Sequence, residues 1–528
     1  MGRASYFAAA IGVLAAACQP SEPVTYDFRI TGGTVYDGVS SDGRLIDVFI
    51  DEDRIVYVGD ASEQNMTADT VIDATGLVVA PGFIDPHTHT LSDVLFSDDG
   101  KRLNGYLTQG VSTVVAGNDG GGPVDVAGSL RAADVRGTGA NFALFAGHNS
   151  IRAEVMGREN RIPTDAELSA MQDLLAQALD HGALGFSTGL YYAPGSYAQR
   201  DEITALARIA AEHEALYESH IRDESSYSVG LLGAIDEAIQ IGRDSGAAVH
   251  IAHIKALGVD VWGQSADVIA RIEAAQADGV TITADQYPWS ASGTRISNAL
   301  IPNWAKADSD EAMFERLRDP GNQERLIAEV TENLRKRGGS DAILLVARVD
   351  GLPSRTLTDE AAAMNLDPVR AAIEIVLRGD ARIASFNMQD DDIERFMTQP
   401  WVMTSSDGTN GHPRKYASFP RKYATYVRDT ATLSLADFIN RSTRLTAETL
   451  QLCDRGQLKP GFYADIVIFD PARFAPVADF SNPAELSVGV EHLFVNGGRA
   501  IADGALSEEL HGVALRRAVC DQNKESVQ

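Results

Sequence analysis

Four histidines occur in this sequence at positions from which their side chains could meet around a metal ion. His87 and His89 are separated by one residue. Residues two apart in an extended backbone point the same way, so both imidazoles can face one cation. His220 and His253 each close a short apolar segment that reads as a strand. A single histidine at a strand end is more often a structural residue, but the series favours a metal site.

A carboxylate follows the last apolar segment, in Thr404-Ser405-Ser406-Asp407-Gly408. An isolated Ser-Asp-Gly is usually a turn, and Asp407 gains significance only from its place in the series. A metal ion held by such side chains lowers the pKa of bound water and polarises a carbonyl group. The residue types therefore point to metal-assisted chemistry.

Short apolar strands alternate with amphipathic helices through the middle of the chain, and the residues above come at strand ends. The strand candidates are 83–85, 112–116, 142–145, 184–187, 215–218, 248–252, 280–284 and 401–404, and the helices include 166–179 and 231–243. Repeated strand–helix units imply parallel strands. Eight of them predict an α/β fold, a TIM (β/α)8 barrel, whose active sites lie at the carboxyl ends of the strands. A doubly wound sheet is the alternative, but no GxGxxG motif opens a helix after the first strand.

The two ends of the chain differ from the middle, with short β-runs broken by Gly and Asp. We expect residues 24–80 and 455–510 to pair as one small β-sandwich domain, around a catalytic barrel at residues 81–454. The interval from about residue 293 to residue 400 exceeds one strand–helix unit. It predicts an inserted, largely helical subdomain late in the barrel.

The N-terminus has the form of a secretory signal. Arg3 precedes an Ala-rich apolar run at residues 6–17, and Cys18 follows it, before a polar spacer. The small residues before Cys18 resemble a bacterial lipobox, so residues 1–18 predict a lipoprotein-type signal peptide with lipidation at Cys18. A non-lipidated signal peptide is the alternative. We expect an exported, periplasmic protein that meets the membrane only through this anchor, because no later segment is long and apolar enough to span a bilayer.

Composition narrows the class of partner. The 528 residues exceed what one hydrophobic core usually serves, and 44% hydrophobic with 23% charged residues is ordinary for a folded protein. The formal net charge of −29 disfavours nucleic acid as a partner, because binding a phosphate backbone relies on clustered Lys and Arg. We expect a small-molecule substrate.

Longer strings resemble a known group of enzymes. The segment Pro81-Gly82-Phe83-Ile84-Asp85-Pro86-His87-Thr88-His89, the two strand-end histidines, the late Asp and the tail at 456–467 resemble the amidohydrolase superfamily. The strings at 109–118, 185–190, 219–224 and 412–414 are similar to N-acyl-D-amino-acid deacylases, also called D-aminoacylases. The resemblance implies zinc-dependent hydrolysis of the amide bond of an N-acyl-D-amino acid, giving a carboxylate and a free D-amino acid. Asp407 would accept the proton of the attacking water and pass it to the departing amine.

One position departs from that family. Its tightly bound zinc is held by a cysteine after Gly-Asn and by the two strand-end histidines, whereas here Gly117-Asn118 is followed by Asp119. Asp can ligate zinc through oxygen and can bridge two ions; alternatively, Asp119 only shapes a Gly-rich loop. One zinc ion on Asp119, His220 and His253, or two ions with His87 and His89 added, both stay open.

The resemblance also implies a substrate pocket. Arg414, in His412-Pro413-Arg414, matches a family arginine that pairs with the substrate α-carboxylate, and a guanidinium fork suits that group. Four further residues match positions that line the pocket: Tyr192, Lys255, Tyr287 and Ser292. Each could instead be an ordinary surface or packing residue.

Two other functions fit part of the pattern. A cyclic amidase or a dipeptidase would share the superfamily fold, but no lysine lies near the fourth strand candidate to form the carboxylated bridge of other branches. A catalytically dead, lipid-anchored binding protein would have no need of five candidate ligands and the late Asp.

Overall fold

The computed structural model of the chain describes residues 23–62, 64–346 and 354–518. The predicted signal peptide and the predicted lipidation of Cys18 lie outside the described residues and stay predictions. Within those ranges, no helix combines the length and the apolar composition needed to cross a membrane.

Seven short strands open the described chain. They are β1 (Val24–Thr31), β2 (Thr34–Val35), β3 (Arg44–Leu45), β4 (Asp47–Asp51), β5 (Arg54–Gly59), β6 (Met66–Asp73) and β7 (Val78–Pro81). Four of them form one sheet in the order β5-β4-β1-β6. β1 pairs antiparallel with β4 and parallel with β6, so the N-terminal strand lies inside this sheet.

Parallel strands follow from residue 83. They are β8 (Phe83–Asp85), β9 (Val111–Ala116), β10 (Asn141–Leu144), β11 (Ala146–Gly147), β12 (Gly185–Gly189), β13 (Leu216–His220), β14 (Val249–Ile251) and β15 (Ile282–Gln286). β10 and β11 are two parts of one barrel strand that is interrupted at Phe145. Every residue of β9, β12 and β13 is buried, as expected for strands covered by helices on one face and by barrel contents on the other.

Helices cross between these strands. They are α1 (Leu91–Phe96), α2 (Asn104–Leu107), α3 (Val126–Arg136), α4 (His148–Met156), α5 (Asp165–Asp180), α6 (Arg200–Glu212), α7 (Gly230–Ser245) and α8 (Ser265–Ala277). A capping box starts α5, since Thr164 accepts from the Glu167 backbone N–H and the Glu167 side chain accepts from that of Thr164. Met171, Leu175 and Ala178 are buried, and this spacing of three and four residues places one apolar face against the strands.

A subdomain is inserted after β15. It contains β16 (Ala291–Arg295), α9 (Ile296–Leu300), α10 (Asp310–Arg318), α11 (Gln323–Lys336), β17 (Ile343–Val346), β18 (Arg355–Thr356), α12 (Leu357–Ala363), α13 (Pro368–Leu377) and β19 (Arg382–Phe386). Its helices enclose a separate apolar core. The sequence analysis predicted helices here, but not the four-stranded antiparallel sheet in the order β16-β19-β17-β18. These strands have two to five residues and are too short for a periodic signal.

The last barrel strand closes the cylinder. The chain continues through α14 (Asp390–Met397), β20 (Val402–Thr404), α15 (Arg414–Lys422), a π-helical segment at Tyr423–Asp429, α16 (Leu435–Ser442) and α17 (Arg444–Thr449). β20 pairs in parallel with β15, and beyond its end the Asp407 N–H donates to the His87 carbonyl oxygen at 2.9 Å. First and last strands are thereby joined, and the predicted TIM barrel is confirmed.

The C-terminal strands return to the N-terminal ones. They are β21 (Ile466–Phe469), β22 (Val490–Val495), β23 (Gly498–Ala502) and β24 (Ala505–Leu506). β21 pairs antiparallel with β7, which gives a seven-stranded sheet in the order β24-β23-β22-β21-β7-β2-β3. Ile30 and Val48 from the first sheet and Ile466 from the second share one buried cluster. Strands from both ends of the chain thus pack as two sheets on one core.

Candidate metal centre

The carboxyl ends of the barrel strands open into one cavity. Its volume is about 510 Å³. The predicted site residues that line it are His89, Asp119, Tyr192, His220, His253, Lys255, Tyr287, Ser292, Asp407 and Arg414. His87 is fully buried and lies within ligand distance of Asp119 and Asp407. The structure therefore brings together all the predicted site residues that it describes.

Asp119, His220 and His253 form the first group of possible ligands. The Asp119 Oδ1 atom lies 3.3 Å from His220 Nδ1 and 3.2 Å from His253 Nε2. The two ring nitrogens are 2.8 Å apart. Ligand atoms around a tetrahedral zinc ion with bonds of about 2.0–2.1 Å are separated by roughly 3.3 Å. These three atoms have the spacing of one face of such a site.

His87, His89, Asp119 and Asp407 form the second group. His89 Nε2 lies 3.6 Å from Asp119 Oδ2 and 3.0 Å from Asp407 Oδ1. His87 Nε2 lies 3.5 Å from Asp119 Oδ1 and 3.8 Å from Asp407 Oδ1. Asp119 thus belongs to both groups: Oδ2 faces His89, and Oδ1 faces His87 as well as His220 and His253. It is the residue that one or two ions would share.

Buried polar atoms test whether a metal fits here. Both ring nitrogens of His87 and Oδ1 of Asp119 are buried and make no hydrogen bond in the described part of the chain. Leaving a buried donor or acceptor unsatisfied costs about 1–3 kcal/mol. A cation between His87 Nε2 and Asp119 Oδ1 removes that cost at both atoms, whereas His87 Nδ1 faces Glu218 and Asp285. Imidazole nitrogens with carboxylate oxygens are a donor set that zinc accepts. The residues present fit zinc.

The backbone is strained at three of these positions. Asp119, His253 and Asp407 have φ values of 57°, 34° and 47°, in the left-handed region that residues other than glycine rarely adopt. Such conformations cost about 1–3 kcal/mol each and persist where the surroundings impose them. Beside Asp119, a Cβ at Gly122 would lie 2.1 Å from the Phe145 carbonyl oxygen. The Gly-rich loop therefore packs directly on the barrel and holds Asp119 in place.

Glu224 supports the first group from outside. Its Oε1 atom lies 3.2 Å from His253 Nδ1 and accepts a hydrogen bond from Lys255. A histidine that ligates zinc commonly donates its other N–H to a carboxylate, which orients the ring. Burial lowers the pKa of His253, but the nearby carboxylates of Asp119 and Glu224 outweigh burial and raise this pKa to about 9. The sequence analysis quoted Glu224 within a family string but gave it no role. Its contact with the His253 ring forms only when the loop after β13 folds.

Two more acids lie behind His87. Glu218 Oε1 and Asp285 Oδ2 are each 3.6 Å from His87 Nδ1. Burial raises the pKa of Glu218 to about 8. At Asp285 the effect of burial is outweighed by His87 and His250, and the pKa of this carboxyl is well below its usual range. Neither acid was singled out from the sequence. Both lie inside barrel strands, where they read as buried strand residues.

Asp407 pairs with the predicted carboxylate-binding arginine. Its Oδ2 atom lies 2.8 Å from Arg414 NH1. Burial would raise the pKa of Asp407, but Arg414 and the contact with His89 lower it, so this side chain is a carboxylate at neutral pH. The Arg414 guanidinium is itself buried and stacks over the Tyr287 ring, 4.7 Å from its centre.

The other predicted pocket residues differ in how they are held. The Tyr287 hydroxyl is buried and makes no hydrogen bond among the described residues. Ser292 is bonded to the Asn387 amide at 3.1 Å, and Lys255 donates to Glu224. The Tyr192 ring packs on His220 with centres 4.7 Å apart. Tyr287 is thus the one of these four with a fully buried polar atom that has no hydrogen-bond partner in the described chain.

Residues of the inserted subdomain complete the cavity wall. Asn298 and the arginines at 295, 337 and 382 all line it. The sequence analysis missed them, because they belong to no motif and the short strands that carry two of them were not predicted.

The sequence and the fold are similar to those of known proteins. The sequence profile of the amidohydrolase family matches residues 70–277 and 380–500. D-aminoacylase from Alcaligenes xylosoxydans xylosoxydans is 32% identical over 524 residues, covering 94% of this chain and 99% of that protein. N-acyl-D-glutamate deacylase from the same organism is 33% identical, covering 89% and 93%. The solved structure of N-acyl-D-glutamate deacylase from Bordetella bronchiseptica, complexed with zinc and a phosphonate inhibitor that mimics the tetrahedral intermediate, aligns with a TM-score of 0.79 at 32% identity, covering 93% of this chain and 100% of that one.

Replacing Asp119 tests the shared carboxylate. We expect Asp119→Ala to weaken zinc binding by more than ~100-fold, beyond the usual effect of losing an outer contact. Asp119→Cys should retain zinc with His220 and His253, because a thiolate is a competent ligand at that position. Zinc content after dialysis and competition with a chromogenic chelator measure both. If Asp119→Ala kept wild-type zinc content and affinity, Asp119 would only shape its loop.

Glu224 gives a test of ring orientation. Glu224→Gln keeps the size of the side chain but removes the charge facing His253, so zinc affinity should fall by about 10–100-fold. The control is Glu212→Gln at the exposed end of α6, which should leave zinc affinity unchanged. Equal affinities for the two variants would contradict the assigned role.

Proposed function

This chain belongs to the amidohydrolase family, and we propose that it is a zinc-dependent deacylase that hydrolyses N-acyl-D-amino acids to a carboxylate and a free D-amino acid. The proposal depends on one observation: two groups of possible metal ligands meet at one cavity, and Asp407 and Arg414 line the same cavity. Relatives that are about one-third identical over nearly the whole chain act on this class of substrate by name.

Zinc would be held by Asp119, His220 and His253, with His87 and His89 available for a second ion. Bound zinc supplies a Lewis acid that polarises the scissile carbonyl and lowers the pKa of water. Glu224 orients His253, and the strained backbone at Asp119 and His253 keeps both donors aimed at the same point. One or two ions fit this set.

Asp407 is the group that moves the proton. It is ionised and buried and lies within the second ligand group, so it can accept a proton from the water that attacks the carbonyl carbon. As the carbon–nitrogen bond breaks, the same carboxyl returns that proton to the departing nitrogen. The products are a carboxylate and an amine, and Asp407 is restored as the base.

Arg414 binds the α-carboxylate of the substrate. In an N-acyl-α-amino acid the carboxylate and the amide nitrogen are attached to the same carbon, so the groups that bind them must be neighbours. Arg414 NH1 and Asp407 Oδ2 are 2.8 Å apart, which satisfies that requirement. The free hydroxyl of Tyr287, beside Arg414, is a second donor for the same carboxylate.

We also propose a cellular location, and this proposal rests on the N-terminal sequence alone. The apolar run ending in small residues before Cys18 supports export and lipid anchoring in the periplasm.

A substrate panel tests the activity. After loading with zinc, we expect the purified enzyme to release free amine from N-acetyl-D-amino acids at least ~100-fold faster than from their L-enantiomers, and to lose that activity after treatment with a chelator. Ninhydrin-type detection follows the freed amine. Preference for hydantoin, dihydrouracil or L-dipeptides would instead indicate a cyclic amidase or a dipeptidase, and absence of turnover with bound zinc would indicate a binding protein.

Substitution of Asp407 tests the proton transfer. Asp407→Asn preserves shape but cannot accept the proton, so kcat should fall by about 10²–10⁴-fold while most of the zinc is retained. Asp173→Asn, on the exposed face of α5, serves as the matched control and should keep wild-type kcat. A wild-type rate in Asp407→Asn would exclude the assignment.

A further inference from the structure

The proposed mechanism gives no role to His412, a buried histidine just before α15. The residue is 1% exposed. Its Nδ1 atom accepts a hydrogen bond from the Arg414 N–H at 3.1 Å, and its Nε2 atom donates to the Ala291 carbonyl oxygen at 3.1 Å. The imidazole therefore joins two elements, the first turn of α15 and strand β16 of the inserted sheet.

The bond to Arg414 caps a helix. α15 begins at Arg414, and the first N–H groups of a helix have no acceptor within the helix. His412 supplies the acceptor, so it fixes the backbone from which the guanidinium extends. A neutral imidazole with its proton on Nε2 makes both bonds at once. Burial and the nearby Arg414 hold the pKa of His412 well below its usual range, which maintains the neutral ring.

The bond to Ala291 uses the free edge of the inserted sheet. β16 is an edge strand of that sheet, and an edge strand presents backbone groups that no neighbouring strand pairs. The Ala291 carbonyl accepts from His412, and the Gly293 carbonyl, two residues on, accepts from Arg414 NH2 at 3.4 Å. A Cβ at Gly293 would lie only 3.1 Å from that nitrogen, so glycine suits the close approach. Arg414 is thus held against β16 both at its backbone, through His412, and at its guanidinium.

A segment of the β-sandwich domain covers the imidazole. Residues 470–489 connect β21 to β22, and the ring of Phe480 in this segment lies 5.0 Å from that of His412 between centres. The Trp289 ring lies 5.8 Å from the same imidazole and 5.8 Å from Phe480. An imidazole packed against two aromatic rings is held in the orientation that both of its hydrogen bonds require.

We infer that His412 is a positioning residue whose two hydrogen bonds hold Arg414 against β16, in the place where Arg414 binds the α-carboxylate, and that Phe480 holds the imidazole. The inference rests on the proposed function and deepens the role of Arg414. It also gives the β-sandwich domain a part in substrate binding, although none of the described residues of that domain lines the cavity.

A pair of substrates measures how well Arg414 is placed. N-acetyl-D-leucine carries the α-carboxylate, and N-acetyl-D-leucinamide has a neutral amide of similar shape in its place. Both need the same zinc and the same Asp407, so the ratio of their kcat/KM values isolates the contribution of the carboxylate. In the zinc-loaded full chain we expect the acid to exceed the amide by at least ~30-fold, the scale of a lost hydrogen bond to a charged group. Chromatography of the freed D-leucine and D-leucinamide measures both rates.

Variants of His412 test the hydrogen bonds. His412→Leu replaces the ring by an apolar side chain and removes both bonds, so the acid-to-amide ratio should fall at least ~10-fold, chiefly through a higher KM for the acid. In His412→Asn the side-chain oxygen can take the place of Nδ1, so the ratio should recover to within about 3-fold of wild type. His181→Asn, at the exposed end of α5, is the control and should leave the ratio unchanged.

Phe480 provides a test that keeps the imidazole. Phe480→Ala removes the ring contact but neither hydrogen bond, so the ratio should fall by about 3-fold. This variant also serves if His412→Leu does not fold. Phe96→Ala removes an aromatic ring that is 80% exposed and should have no effect on the ratio.

Arg414→Gln separates this inference from the proposed function. If Arg414→Gln lowers the ratio while His412→Leu and Phe480→Ala keep the wild-type value, the inference is wrong and Arg414 keeps its role. A loss in His412→Leu that His412→Asn does not reduce would also overturn the inference, because packing and not the hydrogen bond would then be responsible. If Arg414→Gln leaves the ratio unchanged, the role of Arg414 in the proposed function is wrong, and this inference fails with it.

Discussion

Asp119 lies within 3.6 Å of ring nitrogens from four histidines that belong to three different strand ends. A single carboxylate can face so many donors only if its backbone is fixed, and φ at this position is 57°. The loop that fixes it packs so closely on Phe145 that only glycine fits at residue 122. The strain is offset by the rigid barrel wall beneath, as is common where catalytic groups are held.

Closure of the barrel and assembly of the site use the same hydrogen bonds. The Asp407 N–H donates to the His87 carbonyl at 2.9 Å, so the proton-transferring acid and a candidate ligand are fixed relative to each other through the backbone. Beneath them, Asp85 accepts from the Ser406 N–H at 3.0 Å. The first and last strands therefore cannot separate without moving Asp407 away from His87 and His89. The hydrogen bonds that close the barrel are therefore also the ones that hold the site in its geometry.

The sequence predicted what local patterns can encode. The eight barrel strands, and the histidines and Asp407 at their ends, follow from short apolar runs, because each strand is buried and each of these residues is close to a strand end. Asp119 and the pocket residues were predicted only through the family resemblance. Contacts set by folding were not predictable in this way. Glu224 reaches His253 across 29 positions of the numbering, and Arg295 meets Arg382 only through a register between strands that each have five residues. Spacing along a chain carries no information about such pairs.

The overall charge and the charge of the cavity have opposite signs. The formal net charge is −29, yet the cavity holds three arginines without carboxylate partners among the described residues. At physiological ionic strength, charges farther apart than about 8 Å are largely screened, so the acidic surface has little influence on a substrate already inside. Arg337 is buried and Arg382 is half-buried, and a desolvated guanidinium attracts a carboxylate more strongly than one in bulk water. The net charge of the chain is therefore a poor guide to the charge of the groups that line its cavity.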